Sequence, residues 1–198
     1  MNNFLAVDTS SRYLTVLAQK GGKKKLIHLD DCAMKHSCVL MGEVEKAMDA
    51  VNLKPDECDF FAAVTGPGSF TGIRIGVSAV KGFAVGADKP VKAVTSFELI
   101  AYNVNSENFY TVIDAAHGYY YVCGFKSGEI SLEPSYMSRE DVEKLSPLYG
   151  FEHLDLKNYT RLNAGGCLET AVNRAALSEV GNLHALYVRK SQAEEGRK

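Results

Sequence analysis

The stretch Ala63-Val64-Thr65-Gly66-Pro67-Gly68-Ser69-Phe70-Thr71-Gly72-Ile73-Arg74-Ile75-Gly76-Val77 is where an apolar strand turns sharply into a helix. Proline presets φ and the flanking glycines tolerate unusual backbone angles, so this turn is expected to be tight. The helix is expected to reach about Val85. Its small residues recur at helical spacing: Gly72, Gly76, Ala79, Gly82 and Gly86. Because a helical glycine costs up to about 1 kcal/mol relative to alanine, we expect another backbone or a ligand to approach this helix closely.

Two interpretations of the glycine-rich turn stay open from the sequence. Gly66-x-Gly68 does not complete the dinucleotide-binding pattern, because the next glycine, Gly72, comes one residue late. No Gly-Lys-Ser or Gly-Lys-Thr makes a P-loop. The N-terminus of a helix still attracts anions. Phosphate binding is therefore retained beside a packing or interface role, and the second is favoured.

An α-helix advances about 100° per residue, which sorts the residues of this helix onto faces. The apolar stripe is expected to face the sheet of its own lobe; it consists of Ile73, Val77, Val80 and Ala84. A strip of mostly small residues lies beside it: Gly72, Gly76, Ala79 and Phe83. Such a strip admits a second helix by close backbone approach, and the alternative is that both strips are core of this chain. Arg74, Ser78 and Lys81 fall roughly on the other side.

The composition is that of an ordinary globular protein. The chain has 198 residues, 46% hydrophobic and 23% charged, enough for one large domain or two small lobes. A net charge of −2 argues against a protein that holds nucleic acid by itself, since phosphate neutralisation supplies most of that affinity. No apolar run approaches the roughly 20 residues of a membrane span, and no signal peptide is recognised, so a cytoplasmic protein without membrane contact is expected. Five scattered cysteines without a CxxC pair predict neither a zinc site nor disulfides.

Strands and helices alternate through the first half of the chain in the order β-β-β-α-β-α-β-α. The predicted strands cover residues 4–7, 13–19, 25–29, 60–64 and 91–95. The first three are expected to form an antiparallel meander. Ser37 is expected to cap the first long helix. Thr95-x-x-Glu98 is a capping box that opens a short helix over residues 97–103.

The opening pattern recurs 106 positions later, where Tyr110-Thr111-Val112-Ile113-Asp114 parallels Phe4-Leu5-Ala6-Val7-Asp8. Further matches keep this offset: Tyr13 with Tyr119, Val16 with Val122, Lys20 with Lys126 and Gly22 with Gly128. In both copies an apolar strand ends in aspartate, a turn follows, and a second strand runs to Lys-x-Gly. This self-similarity predicts two lobes of related topology, an N-terminal lobe over residues 1–105 and a smaller C-terminal lobe over residues 106–198.

The second lobe has a less regular pattern. A third strand is expected over residues 131–136, and Ser138-x-x-Asp141 is expected to cap a helix to Leu145. Residues 147–161 show no clear periodicity. Gly165-Gly166 is expected to precede a helix over residues 168–177. Residues 183–188 are interpreted as a strand or a helix, and residues 190–198 as a frayed polar tail.

Few side chains in this sequence suggest catalysis. Asp8 and Asp114 end equivalent strands, so both turns are expected to face the cleft between the lobes, where carboxylates could hold a metal with nucleotide phosphates. This candidate nucleotide cleft comprises Asp8, Thr9, Ser10 and Asp114. The alternative, which we favour, is that each aspartate caps its own turn. The histidines are isolated and no Gly-x-Ser-x-Gly elbow exists, so neither a metal site nor a serine peptidase is predicted.

Several segments of the sequence resemble one known family. They are Phe4-Leu5-Ala6-Val7-Asp8-Thr9-Ser10, His36-Ser37, Gly66-Pro67-Gly68-Ser69-Phe70-Thr71-Gly72-Ile73-Arg74-Ile75-Gly76 and Tyr187-Val188-Arg189. These segments look like the bacterial TsaB family, formerly called YeaZ. The likeness covers residues 4–103 well and the second lobe loosely. It implies an α/β fold of the actin/Hsp70 type, with duplicated ββαβαβα-type lobes, a mixed sheet with helices and a reduced second lobe.

The resemblance also implies a role in making N6-threonylcarbamoyladenosine in tRNA. In that system TsaB is a non-catalytic subunit, the related TsaD carries the metal and transfers the threonylcarbamoyl group, and the ATPase TsaE completes the complex. TsaB pairs with TsaD, or with itself when alone, through the helix after the glycine-rich loop, and meets tRNA only indirectly. Carried over to this sequence, the interface comprises Gly66, Gly68, Thr71, Gly72, Ile73, Arg74, Gly76, Val77, Ser78 and Lys81. No cofactor is implied beyond weak ATP or ADP binding at a subunit interface.

The sequence departs from the family pattern in its second lobe, which is shorter than expected. The lobe begins Asp114-Ala115-Ala116-His117-Gly118-Tyr119, without the arginine and glutamate that the family often has there. The His-x-x-x-His metal motif of TsaD is also absent, since Leu40 stands four residues after His36. That absence favours a scaffold over a transferase. A nucleotide-dependent enzyme of the actin-like ATPase or kinase class is the alternative, and a glycoprotease-like metallopeptidase is a weaker one.

Overall fold

The structure is a computed structural model that describes residues 2–188. It contains two mixed sheets, and the first is built from residues 4–94. Its strands are β1 (Phe4–Asp8), β2 (Leu14–Lys20), β3 (Lys23–Leu29), β4 (Phe60–Val64) and β5 (Val91–Val94). Their order across the sheet is β3-β2-β1-β4-β5. The first three strands pair antiparallel, as the predicted meander requires, and β4 and β5 continue parallel to β1.

The second sheet repeats this topology. Its strands are β6 (Asn108–Asp114), β7 (Tyr119–Lys126), β8 (Glu129–Ser138), β9 (Leu148–Gly150) and β10 (Tyr159–Arg161). The order β8-β7-β6-β9-β10 is that of the first sheet, with the same antiparallel meander and two parallel strands. The duplicated α/β fold predicted from the repeat is therefore confirmed. The domain division at residue 105 stays a prediction.

Five α-helices connect the strands of residues 2–188. They are α1 (His36–Ala50), α2 (Phe70–Ala87), α3 (Ser96–Ala101), α4 (Arg139–Val142) and α5 (Ala164–Arg174). Helices α1 and α4 follow the third strand of their sheets, and α3 and α5 follow the fifth. No helix follows β9, so α2 has no counterpart in the second half of the described chain. The glycine-rich helix is what distinguishes the first lobe from the second.

The observed first residues of the helices show which of the capping predictions are correct. Thr95 and Glu98 form the predicted capping box at α3, which ends at Ala101 rather than residue 103. Ser138 also caps α4 as predicted, since its hydroxyl accepts from the Asp141 amide, although α4 ends at Val142 instead of Leu145. The prediction for Ser37 is wrong: α1 begins at His36, and its cap residue, Lys35, makes no side-chain cap bond. Tertiary packing of the apolar face, rather than a capping side chain, therefore sets the start of α1.

The C-terminal part of the described chain departs most from prediction. The two glycines expected before α5 lie inside it, because Asn163 caps the helix and accepts a hydrogen bond from the Gly165 amide at 3.1 Å. The helix then ends at Arg174 instead of residue 177. Residues 183–188 are neither strand nor helix, and residues 190–198 lie outside the described range. Periodicity also missed β9 and β10, because strands of three residues are too short to show it.

The core lies on both faces of the first sheet. In β1, Leu5 and Val7 pack with α1 and α2, whereas Phe4 and Ala6 face the opposite way. That opposite cluster includes residues of α3, α5 and the second sheet, so one continuous core joins the two sheets. A strand buried on both faces reads as an unbroken apolar run, which is the pattern of β1 and β4.

Candidate functional site

The glycine-rich turn carries the chain from β4 into α2 and is fastened to the turn after β1. The Ser69 side chain caps α2 by accepting from the Gly72 amide at 3.2 Å. The Ser69 amide donates to the Ser10 carbonyl at 2.6 Å, and the Thr9 hydroxyl donates to the Gly72 carbonyl at 2.7 Å. Both Thr9 and Ser10 are buried. The first turn of α2 is therefore held by this chain's own β1 turn.

Close approach of that turn explains the glycines at the start of α2. A Cβ atom at Gly68 would collide with the Ser10 carbonyl, and one at Gly72 or Gly76 would collide with Thr9. Gly66 has a φ of 97°, a left-handed conformation that suits glycine. The strip of small residues that includes Gly72 and Gly76 thus packs inside this chain, which was the alternative kept open from the sequence. Its other members are half-buried, and Phe83 stacks on Phe61 with ring centroids 5.7 Å apart.

The opposite face of α2 is open to solvent. The apolar stripe is buried as predicted, including Ile73 and Val77 of the expected interface. The exposed face comprises Thr71, Arg74, Ser78, Gly82, Val85 and Gly86, with Lys81 half-buried at its side. A Cβ atom at Gly82 or Gly86 would meet nothing of residues 2–188 within 4 Å, and Val85 is 70% exposed. Of the interface residues expected from the family resemblance, Thr71, Arg74, Ser78 and Lys81 lie on or beside this exposed face, and Gly68 is half-buried in the turn before α2; the assignment itself stays a prediction.

A segment that sequence reasoning missed lies across the start of α2. We call residues 178–188 the C-terminal strap. It begins with a bridge between Ser178 and Val91, buries Leu183 completely and donates from the Leu186 amide to the Thr65 carbonyl at 2.8 Å. Tyr187 then packs against α2. No periodicity could reveal this strap, because its contacts are with residues about a hundred positions away.

The strap ends in an aromatic and cationic cluster around Arg74. Phe70 and Tyr187 have ring centroids 4.7 Å apart, and the Arg74 guanidinium carbon lies 3.9 Å from the Phe70 centroid. The Arg74 Nε donates to the Tyr187 hydroxyl at 2.9 Å. Among residues 2–188, no carboxylate forms an ion pair with Arg74. Arg74 is thus held in place while most of its hydrogen-bond donors have no anionic partner within the described chain.

A cleft of about 250 Å³ lies between the turns that follow β1 and β6. It is lined by Ser10, Ser11, Arg12, Gly68, Ser69, Asp114, Ala115, Ala116, Tyr121 and Glu152. Of the candidate nucleotide residues, Ser10 and Asp114 line this cleft, whereas Asp8 and Thr9 do not. Asp8 accepts from the Ser10 amide and hydroxyl at 2.8 and 2.7 Å, and Asp114 accepts from the Ala116 amide at 2.9 Å. Both aspartates therefore cap their own turns, as the favoured alternative held.

Glu152 is a cleft residue that sequence reasoning missed. Its carboxylate accepts from the Asp114 amide at 2.8 Å. Burial raises the pKa of Glu152 to about 7, and the nearby Asp114 charge adds to that rise. Burial likewise raises the pKa of Asp8 above its usual value. A small recess that shares Ser10, Ser11 and Glu152 with the cleft is also lined by Ser96, whose buried hydroxyl has no hydrogen-bond partner among the described residues.

Of the other reactive side chains, His36 and four of the five cysteines are buried, whereas Cys38 is exposed. The His36 ring nitrogen Nε2 lies 2.9 Å from the Tyr13 carbonyl, which makes it a buried structural contact. Burial raises the pKa of the Cys58 and Cys123 thiols to about 12, so neither is a nucleophile near neutral pH. Among residues 2–188, no helix is long and apolar enough to cross a membrane.

Comparison with known sequences identifies relatives of this chain. The family model described as "TsaD: tRNA N6-adenosine threonylcarbamoyltransferase" matches residues 15–189. The Bacillus subtilis tRNA threonylcarbamoyladenosine biosynthesis protein TsaB is 31% identical over 99 residues, which cover 50% of this chain and 43% of the relative. The Haemophilus influenzae protein of the same name is 31% identical over 116 residues, covering 56% and 48%. The chain thus spans about half the length of the curated relatives it matches.

Comparison with solved structures confirms the fold. A Pseudomonas aeruginosa protein, described as uncharacterised and similar to the peptidase YeaZ, has a TM-score of 0.76 and 21% identity. The match covers 96% of this chain and 100% of that one. The ethanolamine utilisation protein EutJ from Carboxydothermus hydrogenoformans has a TM-score of 0.51 and 11% identity over 85% of this chain and 88% of its own. The α/β fold of the actin/Hsp70 type, expected from the family resemblance, is confirmed.

Proposed function

Since this chain belongs to the family described as TsaD, tRNA N6-adenosine threonylcarbamoyltransferase, and its relatives include TsaB (YeaZ) proteins, we propose that it is a non-catalytic subunit in the synthesis of N6-threonylcarbamoyladenosine in tRNA. It binds a TsaD-type catalytic subunit and holds that subunit in its active arrangement. The docking element is the exposed face of α2. In this proposal the chain supplies a surface, and the partner supplies the metal and the transfer chemistry.

The observation that carries the proposal is the pair of open glycines in α2. Gly82 and Gly86 lie one turn apart on the exposed face, and nothing of the described chain lies within 4 Å of where their Cβ atoms would be. Each costs up to about 1 kcal/mol of helix stability relative to alanine. Gly72 and Gly76 are explained by Thr9, whereas no contact inside the described chain explains this second pair. A partner helix that approaches the backbone closely would explain it.

The non-catalytic assignment is supported by what the candidate catalytic groups do. His36 contacts a backbone carbonyl, and the position four residues on is the buried Leu40. Asp8 is buried and bonded to Ser10. These groups stabilise the first lobe, and each already has a local partner.

The same proposal covers the other partners. When no TsaD-type subunit is present, the α2 face pairs two copies of the chain. A TsaE-like ATPase joins the complex, and tRNA is contacted mainly through the catalytic subunit, in keeping with the net charge of −2. ATP or ADP binds weakly at a subunit interface, and no resident cofactor is needed. The complex works in the cytoplasm.

The test measures binding of the TsaD-type subunit of the same organism to variants of the open face. Gly82→Trp places a large side chain on that face without any clash inside the chain. We expect it to raise the Kd by at least about a hundredfold, a loss comparable to that of a central interface contact. Gly166→Trp is the matched control, because Gly166 is an exposed glycine of α5 whose added Cβ atom would also meet no part of the described chain within 4 Å.

Equal Kd values for wild type, Gly82→Trp and Gly166→Trp would exclude α2 as the docking element. Absence of binding by the wild-type chain would exclude the proposed function altogether. A bulky charged substitution of Gly76 or Val77 is a poorer test, because both residues are buried and the variant is expected to unfold.

A nucleotide-dependent enzyme is the second candidate, and the interlobe cleft favours it. The cleft brings together Asp114 and Glu152, and a recess beside it is lined by Ser96, whose hydroxyl has no hydrogen-bond partner among residues 2–188. Calorimetry with ATP and magnesium separates the two functions. Tight binding and turnover of ATP by the isolated chain, both lost in the Asp114→Asn variant, would favour the enzyme. A titration without measurable heat would favour the scaffold.

A further inference from the structure

The cluster of Arg74, Phe70 and Tyr187 contains a cation that the fold positions and that no carboxylate of residues 2–188 neutralises. The guanidinium stacks on Phe70 at 3.9 Å and is tied through Nε to the Tyr187 hydroxyl at 2.9 Å. A stacked arginine with one donor engaged has lost much of its side-chain freedom before any partner arrives. Its remaining donors form the planar fork that pairs with carboxylates in a bidentate manner.

We propose that Arg74, held by Tyr187 of the C-terminal strap, is a preorganised receptor for a carboxylate side chain of the protein that docks on α2. This inference rests on the proposed function and adds to it the chemistry of the partner surface. It also explains why the C-terminal strap crosses the start of α2. Tyr187 is a positioning residue that acts through Arg74, although it comes 113 positions later in the chain.

The charges of α2 favour an acidic protein partner. Between Phe70 and Ala87 the helix contains no Asp or Glu, and its two charged residues, Arg74 and Lys81, are both cationic. A second copy of this helix therefore supplies no carboxylate of its own to Arg74. The chain as a whole is slightly acidic, and the exposed face of α2 around Arg74 consists mostly of small residues and the apolar Val85. Such a face suits a protein helix better than a phosphate backbone.

The strap is fixed independently of Tyr187, which makes the proposal testable. Leu183 is fully buried, and the Leu186 amide is bonded to the Thr65 carbonyl. Tyr187→Phe therefore keeps the strap and the ring stacking and removes only the hydroxyl that accepts from Arg74. Arg74 itself is exposed, so its replacement leaves the core intact.

The experiment titrates the TsaD-type subunit of the same organism with the full chain, by calorimetry at low and at high salt. Arg74→Ala is expected to raise the Kd by about tenfold or more at low salt and to reduce its salt dependence, as expected for loss of a charge pair. Arg74→Lys retains the charge but not the fork and is expected to restore part of the affinity. Tyr187→Phe is expected to weaken binding by about two- to fivefold with an unchanged melting temperature. Arg174→Ala is the matched control, since Arg174 also stacks on a tyrosine, Tyr102, at 5.4 Å.

The outcomes separate this inference from the proposed function. Loss of binding in Gly82→Trp together with an unchanged Kd in Arg74→Ala would overturn the inference and leave the docking face standing. If Arg74→Ala weakened binding of tRNA alone, or only self-association, while the partner's Kd stayed the same, the carboxylate assignment would also be overturned. If the wild-type chain did not bind the TsaD-type subunit, both proposals would fall together.

Discussion

At the scale of single residues, two glycines of one helix differ in what surrounds them. Gly76 faces Thr9, and a Cβ atom there would collide with the threonine side chain. A Cβ atom at Gly82, six residues later, would meet nothing of the described chain within 4 Å. The fold of this chain requires a glycine at position 76, whereas the glycine at position 82 lowers the stability of the helix without a contact that requires it. The two positions can therefore be told apart by stability alone.

We expect Gly76→Ala to destabilise the chain by about 1–3 kcal/mol, because the added methyl group must displace packed atoms. We expect Gly82→Ala to stabilise it by about 0.5–1 kcal/mol, because alanine restricts the unfolded chain and meets open space. Urea denaturation of both variants measures the difference. Destabilisation of similar size at both positions would contradict the distinction between a packed and an open glycine.

Glu152 is the other residue whose behaviour depends on its surroundings. Burial raises its pKa to about 7 from its usual value of 4.5, so the folded state binds a proton more tightly than the unfolded state between these values. Stability must then fall as the pH rises through this window. The slope reaches at most about 1.4 kcal/mol per pH unit for one group. Asp8, whose pKa burial also raises, contributes in the same direction.

Glu152→Gln is therefore expected to flatten the fall in stability between about pH 5 and pH 7 and to be more stable than wild type at pH 8. Glutamine keeps an oxygen that accepts from the Asp114 amide. Urea denaturation across this pH range provides the measurement. Glu129→Gln, an exposed position, is the control and should leave the curve unchanged. A wild-type slope that persists in Glu152→Gln would show that another group titrates there.

At the scale of elements, α5 belongs to the second half of the chain but packs on the first sheet. Lys92 of β5 is buried, and its ammonium group donates to the Val172 carbonyl at 2.8 Å and lies 4.5 Å from the Phe60 ring centroid. Val172 is within the last turn of α5, where carbonyls have no partner inside the helix. Burial lowers the pKa of Lys92. The lysine thus connects the edge of the first sheet to the end of α5.

Lys92→Met keeps the apolar stem and removes the donor, leaving the Val172 carbonyl buried without this bond. We expect a loss of about 1–3 kcal/mol in stability and faster amide exchange in the last turn of α5 than in α1. Hydrogen exchange monitored by mass spectrometry measures both the loss of stability and the exchange rates of the two helices. Lys89→Met, next to the same strand, serves as the control. Exchange in α5 that matches wild type would show that Lys92 does not hold the helix end.

At the scale of the whole molecule, one apolar cluster joins the two sheets. It combines Phe4 and Phe60 of the first sheet with Phe109 and Phe125 of the second. The hydroxyl of the buried Tyr13 adds a hydrogen bond to the Phe151 carbonyl at 3.1 Å. A shared core makes each sheet depend on the other for burial of its apolar face. We therefore expect the two halves to unfold together.

Seven of the ten tyrosines lie between residues 110 and 159, so tyrosine fluorescence reports mainly on the second sheet, whereas far-ultraviolet circular dichroism is dominated by the long helices of the first half. Coincident transitions by both probes are expected. Tyr13→Phe should shift both by the same amount, corresponding to about 0.5–1.5 kcal/mol, with Tyr119→Phe as an exposed control. Two separate transitions would contradict a common core.

Much of the fold was predictable from local pattern. Patterns among residues close together in the chain predicted three features: the strands of the two meanders, the buried stripe of α2 and the capping box at Thr95. The repeat between Asp8 and Asp114 predicted the duplicated sheet topology, because equivalent strands keep equivalent spacing. Interactions of this range are encoded in the periods of 2 and 3.6 residues, which a sequence displays directly.

Only the tertiary structure decided what surrounds the glycines of α2 and which residues meet in the candidate site. Thr9 and Gly72 are 63 positions apart, and Arg74 and Tyr187 are 113 apart. Glu152 lies in a segment without periodicity, and its raised pKa comes from burial beside Asp114. Contacts between distant positions leave no period in the chain, because they depend on how the elements pack. The sequence alone therefore determined the elements and their repeat, and packing determined which face of α2 stays exposed.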